Sequence, residues 1–88
     1  MTSDEHLDGN AIAGDLRELF GVEMTTQSGS CAGCGVVSVL AAVRVYRSGP
    51  GTVIRCPNCE KVLMVLVNRP GSIRVCIEML SWLEVAEN

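Results

Sequence analysis

Cys31-Ala32-Gly33-Cys34-Gly35 and Cys56-Pro57-Asn58-Cys59 decide the reading of this chain, with 21 residues between Cys34 and Cys56. Two CxxC pairs at this spacing match a tetrahedral four-thiolate site of the ribbon type, in which each pair sits on a tight turn and sends two sulfurs to one ion. Gly33 and Gly35 allow the backbone to approach the sulfurs and to adopt positive φ. Pro57 pre-sets φ at the second position of its turn and removes an N–H that the turn does not use. Zn2+ held by Cys31, Cys34, Cys56 and Cys59 is the expected cofactor.

The rest of the chain is read outward from these pairs. It has 88 residues and a formal charge of −3, enough for one domain whose core alone is marginal. A metal with four cysteine ligands supplies the missing staple. Structural zinc binds with an apparent free energy of about 10–16 kcal/mol, against a usual domain stability of about 5–15 kcal/mol. Residues 1–9, polar and acidic with Asp4, Glu5 and Asp8, read as a flexible tail. Residues 10–83 read as a single zinc-ribbon domain, and residues 84–88 as a second tail. The N-terminal stretch is neither basic nor apolar, as a signal peptide would be. No apolar run approaches the ~20 residues that span a bilayer. A soluble, cytoplasmic protein with no membrane partner is expected, and a reducing compartment favours metal over disulfide for paired cysteines.

Ile12, Leu16, Leu19 and Phe20 fall on one face of a helix over Asn10–Gly21, with Asn10 or Asp8 as its cap and Gly21 as its left-handed stop. Four β-branched or apolar runs follow, at Val36–Tyr46, Thr52–Arg55, Lys61–Asn68 and Ile73–Leu80. They predict a small α+β fold: a zinc ribbon with two CxxC knuckles, one antiparallel β-sheet and one N-terminal helix covering one sheet face. The unbroken apolar run Val62–Val67 implies burial on both faces, because a half-exposed strand alternates. The C-terminal residues Trp82 and Leu83, or a second molecule, would cover the face that the helix leaves open.

Other residues invite sharper readings. Two redox CxxC pairs of the thioredoxin kind would each open a helix, whereas Cys34 precedes Gly35 and a β-branched run. Rubredoxin-like iron proteins resemble this chain at the knuckles alone; the single Trp, Tyr and Phe give little aromatic surround for such an electron carrier. Glu60 stands where the ribbon pattern CPxCG has glycine, so it must tolerate an unusual backbone angle. Cys76 shares a strand side with Arg74 and Glu78 and reads as a half-buried small hydrophobe. His6 reads as a solvated tail residue rather than a ligand. Arg44, Arg47, Arg55, Lys61, Arg69 and Arg74 could form a basic sheet face for a nucleic-acid-associated regulator. The acidic total argues against that partner, since affinity for a phosphate backbone comes from neutralising its charge. No catalytic residues are predicted: there is no nucleophile–base–orienter set, and four cysteines leave no open position on the metal.

The segment Asp8-Gly-Asn-Ala-Ile-Ala-Gly14, with Glu18-Leu-Phe-Gly21, CAGCG and CPNC, resembles a family of small bacterial zinc-ribbon proteins known only as a domain of unknown function. The resemblance covers roughly residues 7–83. It implies the ribbon and a four-thiolate site at Cys31, Cys34, Cys56 and Cys59, and it implies no activity. Taken together with the residues, the expectation is a non-enzymatic structural zinc-binding module that mediates protein–protein interaction, with a homodimer or a standing protein partner.

Overall fold

A computed structural model describes residues 6–86. Its elements in chain order are β1 (Leu7–Asp8), a 3-10 turn (Gly9–Ile12), α1 (Ala13–Phe20), β2 (Ser28–Cys31), β3 (Val37–Val39), a second 3-10 turn (Leu40–Ala42), β4 (Arg44–Ser48), β5 (Gly51–Arg55), β6 (Val62–Arg69), β7 (Ser72–Ile77) and β8 (Leu80–Leu83). They form two antiparallel sheets. The larger has the order β1-β4-β5-β6-β7 and the smaller β3-β2-β8. The fold is therefore small α+β with one α-helix, as expected, but with two sheets where the sequence suggested one.

The difference arises at two places. The run Val36–Tyr46 does not form a single strand. Leu40 turns inward and is buried, its N–H donating to the Gln27 carbonyl at 2.9 Å, while Ala41 N–H donates to the Thr25 carbonyl at 3.0 Å. These bonds fix the second 3-10 turn and send β3 and β4 to different sheets. Gly9 packs directly behind this turn, where a Cβ would stand 1.6 Å from the Leu40 carbonyl oxygen. The last predicted strand, Ile73–Leu80, ends early at Ile77, and its last residue opens a further strand, β8, paired with β2 through Gly29↔Leu83 and Ser30↔Trp82.

The helix starts later than the sequence suggested. Asp8 accepts a hydrogen bond from Asn10 N–H at 3.0 Å and caps the 3-10 turn, and α1 follows only from Ala13. Gly21 ends it at φ +78°, donating to the Arg17 carbonyl. Leu7 and Asp8, placed in a tail by the sequence, pair with Val45 and Arg44. Residues 1–5 of that tail, and 87–88 of the second, lie outside the described residues.

The core joins Ile12 and Leu16 of the helical segment to Leu40, Val43, Val45, Ile54, Met64 and Leu66. Registers place Val45, Ile54, Met64 and Ile77 across one face of the larger sheet, and Tyr46, Val53, Val65 and Cys76 across the other. The first face carries the core. The second is only half-buried at all four positions, so the Val62–Val67 run is not buried on both faces along its length. Trp82 is 45% exposed in β8, and Leu83 packs against the core.

Candidate metal centre

Each CxxC pair is a reverse turn that local hydrogen bonds dictate, and the two turns repeat one another. Gly35 N–H donates to the Cys31 carbonyl at 2.8 Å, and Glu60 N–H to the Cys56 carbonyl at 3.1 Å. Cys31 N–H donates to the Val36 carbonyl at 3.0 Å, and Cys56 N–H to the Lys61 carbonyl at 2.9 Å. Inside the turns, Gly33 N–H points at Cys31 Sγ and Asn58 N–H at Cys56 Sγ, both at 3.3 Å. Such donors stabilise negative charge on sulfur.

The turns require a left-handed residue just past the second cysteine. Gly35 fills the position at φ +79° and Glu60 at φ +65°, the latter being the only non-glycine with positive φ among the described residues. Glu60 is held there from outside the turn. Its carboxylate meets Arg44 Nη1 at 2.7 Å, and its carbonyl accepts from Arg55 Nη1 at 2.8 Å. The sequence pointed to the angle; it gave no sign of the two arginines, which come from β4 and from the end of β5.

The first turn connects β2 to β3 in the smaller sheet, and the second connects β5 to β6 in the larger. All four Sγ atoms nevertheless lie within 4.8 Å of one another. The closest approaches join one turn to the other: Cys31 Sγ to Cys59 Sγ at 3.6 Å, and Cys34 Sγ to Cys56 Sγ at 3.7 Å. Tetrahedral zinc with Zn–S of about 2.3 Å has sulfur–sulfur edges of about 3.8 Å. The donor set and its spacing therefore fit a metal ion. Cys31 and Cys56 are buried, Cys59 is half-buried and Cys34 is exposed.

The electrostatics of the four thiols are uneven. The Asn58 side-chain amide donates to Cys34 Sγ at 3.4 Å, and with the Val36 backbone N–H it lowers the Cys34 thiol to about 6. At Cys59, the Lys61 backbone N–H favours the thiolate, but burial and the neighbouring Cys31, Cys34 and Cys56 outweigh it and raise the thiol to about 11. Four sulfurs this close release a first proton readily and resist releasing the rest, because like charges accumulate. A divalent cation among them offsets that repulsion.

Asn58 and Met79 are members of the site that motif reading passed over. Asn58, in the second turn, reaches across to a sulfur of the first. The Met79 carbonyl, between β7 and β8, accepts from Ala32 N–H at 2.7 Å. His6 and Cys76, also weighed from sequence, lie apart from this centre. The His6 ring lies tilted against Tyr46, with centroids 5.7 Å apart. Cys76 is half-buried on β7 and is not one of the clustered ligands. Among the described residues no helix is long and apolar enough to cross a membrane.

No curated protein and no solved structure matches the chain. A profile described as a family of unknown function, DUF6510, matches residues 3–88, nearly the whole sequence; the chain belongs to that family.

Proposed function

We propose that this protein is a non-enzymatic structural zinc module, in which Cys31, Cys34, Cys56 and Cys59 hold one Zn2+ that clasps two sheets and so fixes a surface for another protein. The observation that carries this reading is the convergence of sulfurs from turns of two different sheets. A metal placed there joins elements that otherwise meet through few bonds, such as Ala32 N–H to the Met79 carbonyl. Four thiolates close the coordination shell, which favours a structural over a catalytic ion. Five free cysteines suit a reducing, cytoplasmic setting. The half-buried apolar row Tyr46, Val53, Val65 and Cys76 supports a protein partner.

The nucleic-acid reading loses support from the arginines. Arg44 is paired with Glu60, and Arg47 with Asp15 and the Ala11 carbonyl. Arg55 is spent on the Glu60 carbonyl and lies 5.7 Å from the Tyr46 ring. Elemental analysis of protein purified without added metal tests the proposal. One zinc per chain is the expected result. Iron with a visible thiolate charge-transfer band would favour the electron carrier instead, and a metal-free folded chain would defeat both.

A further inference from the structure

The interaction surface can be assigned more closely at the rim of the larger sheet. β7 is its outermost strand and has six residues, against two in β1 at the opposite rim. The outer strands of the smaller sheet have three and four residues. Proteins usually blunt such an edge with lysine and other charges, proline, a bulge or brevity; the strand Ser72-Ile-Arg-Val-Cys-Ile77 carries one charge, Arg74, and no lysine, proline or bulge.

The backbone of β7 has a fixed polarity. Glu78 N–H donates to the Leu63 carbonyl, and the register pairs Val65 with Cys76 and Val67 with Arg74. Alternation along the strand then aims the N–H and C=O of Arg74, Cys76 and Glu78 at β6, and those of Ile73, Val75 and Ile77 outward. Val75 and Ile77 are also 38% and 57% exposed. They continue the core face of Met64 and Leu66 beyond its cover. Arg74, Cys76 and Glu78 lie on the other face.

We propose that β7 pairs antiparallel with β7 of a second copy of this chain, Cys76 facing the partner's Cys76 on the twofold axis. In this register Val75 opposes the partner's Ile77 as a hydrogen-bonded pair, and Arg74 opposes the partner's Glu78. Apolar side chains thus meet on one face and opposite charges on the other, twice over by symmetry. Outward-pointing groups can pair only in registers that differ by two residues. One such shift sets Arg74 against the partner's Arg74; another sets it against the partner's Cys76. The charges select the register with Cys76 on the axis. The result is one continuous sheet across two molecules. The inference rests on reading the protein as an interaction module, and it replaces the unnamed partner with the chain itself.

Sedimentation equilibrium of the metal-loaded full chain, from about 1 µM to about 1 mM, tests it. The expected mass at the high end is twice 9.4 kDa. Arg74→Glu or Glu78→Arg alone places like charges opposite each other and should weaken association about tenfold or more; the two together should restore it. Hydrogen exchange on the unsubstituted chain gives a second reading that needs no variant to fold. The Val75 and Ile77 amides, which no strand of the same chain protects, should slow as concentration rises. A chain that stays monomeric throughout overturns the proposal. So does a dimer that either charge reversal leaves unchanged. Metal content, read in the same samples, reports separately on the structural zinc site.

Discussion

At the scale of single residues, Glu60 is the position where local strain and long-range support meet. A non-glycine residue in the left-handed region costs on the order of 1–2 kcal/mol, while an exposed ion pair such as Arg44–Glu60 returns at most about 1 kcal/mol. Glu60→Gly should therefore melt at or above the wild-type temperature, and Glu60→Val, which adds to the strain and loses the ion pair, should lose about 1–2 kcal/mol or more in thermal or urea unfolding. Glu23 offers a pH test. The Thr25 hydroxyl, and then the Thr25 backbone N–H, donate to its carboxylate and hold it below its ordinary value of 4.5. A carboxyl depressed in the folded state adds stability above pH 4.5 that is lost as pH falls through the lowered value. An NMR titration should find the Glu23 midpoint below 4.5, and Thr25→Ala should move it part of the way back. The clustering of the four cysteines and the Glu60 angle were legible in the sequence because both follow from the geometry of a five-residue turn. Arg44, Arg55 and Met79 were not, because their contacts with the turns depend on which strands become neighbours.

At the scale of elements, the second 3-10 turn decides the architecture. The valines on either side of it favour extended backbone, and they hid the break. Ala41-Ala42, without β-branching, was the weak local hint. What fixes the turn is tertiary: the Thr25 and Gln27 carbonyls in front and Gly9 behind. Gly9→Ala is thus expected to be far more harmful than a surface glycine change, because its Cβ would collide with backbone rather than with a movable side chain. A loss of about 3 kcal/mol or more is expected in equilibrium unfolding. Gly14→Ala, in α1 with open space around it, should instead stabilise by about 1 kcal/mol. The helix itself was readable from its apolar spacing and its Gly21 stop. Its late start was not, since Asp8 caps a 3-10 turn that has the same sequence signature as a first helical turn.

At the scale of the whole molecule, the proposed metal clasp would add to a small core. The larger sheet buries Val45, Ile54, Met64 and Leu66 and the smaller has three short strands; on the proposed reading neither holds without the ion that joins them. Cys34→Ser, or chelation, should abolish the cooperative melt and most of the β signal in circular dichroism, since a structural zinc in the proposed site would contribute as much as a whole small domain. Cys76→Ser should leave the melt nearly unchanged. That the chain makes two sheets could not be read from its patterns, because no short-range signal announces the pairing of β2 with a strand that arrives at residue 80. The same arrangement bears on biogenesis. Synthesis runs from the N-terminus, so all four thiols leave the ribosome ahead of Met79 and β8. On the proposed reading the ion is captured by a chain whose central strand β2 still lacks one neighbour, and the late strand then docks on a knuckle already shaped. Metal starvation should consequently fall on newly made chains and spare the older pool. Pulse-labelling under zinc restriction would show this as rapid proteolysis of the label alone.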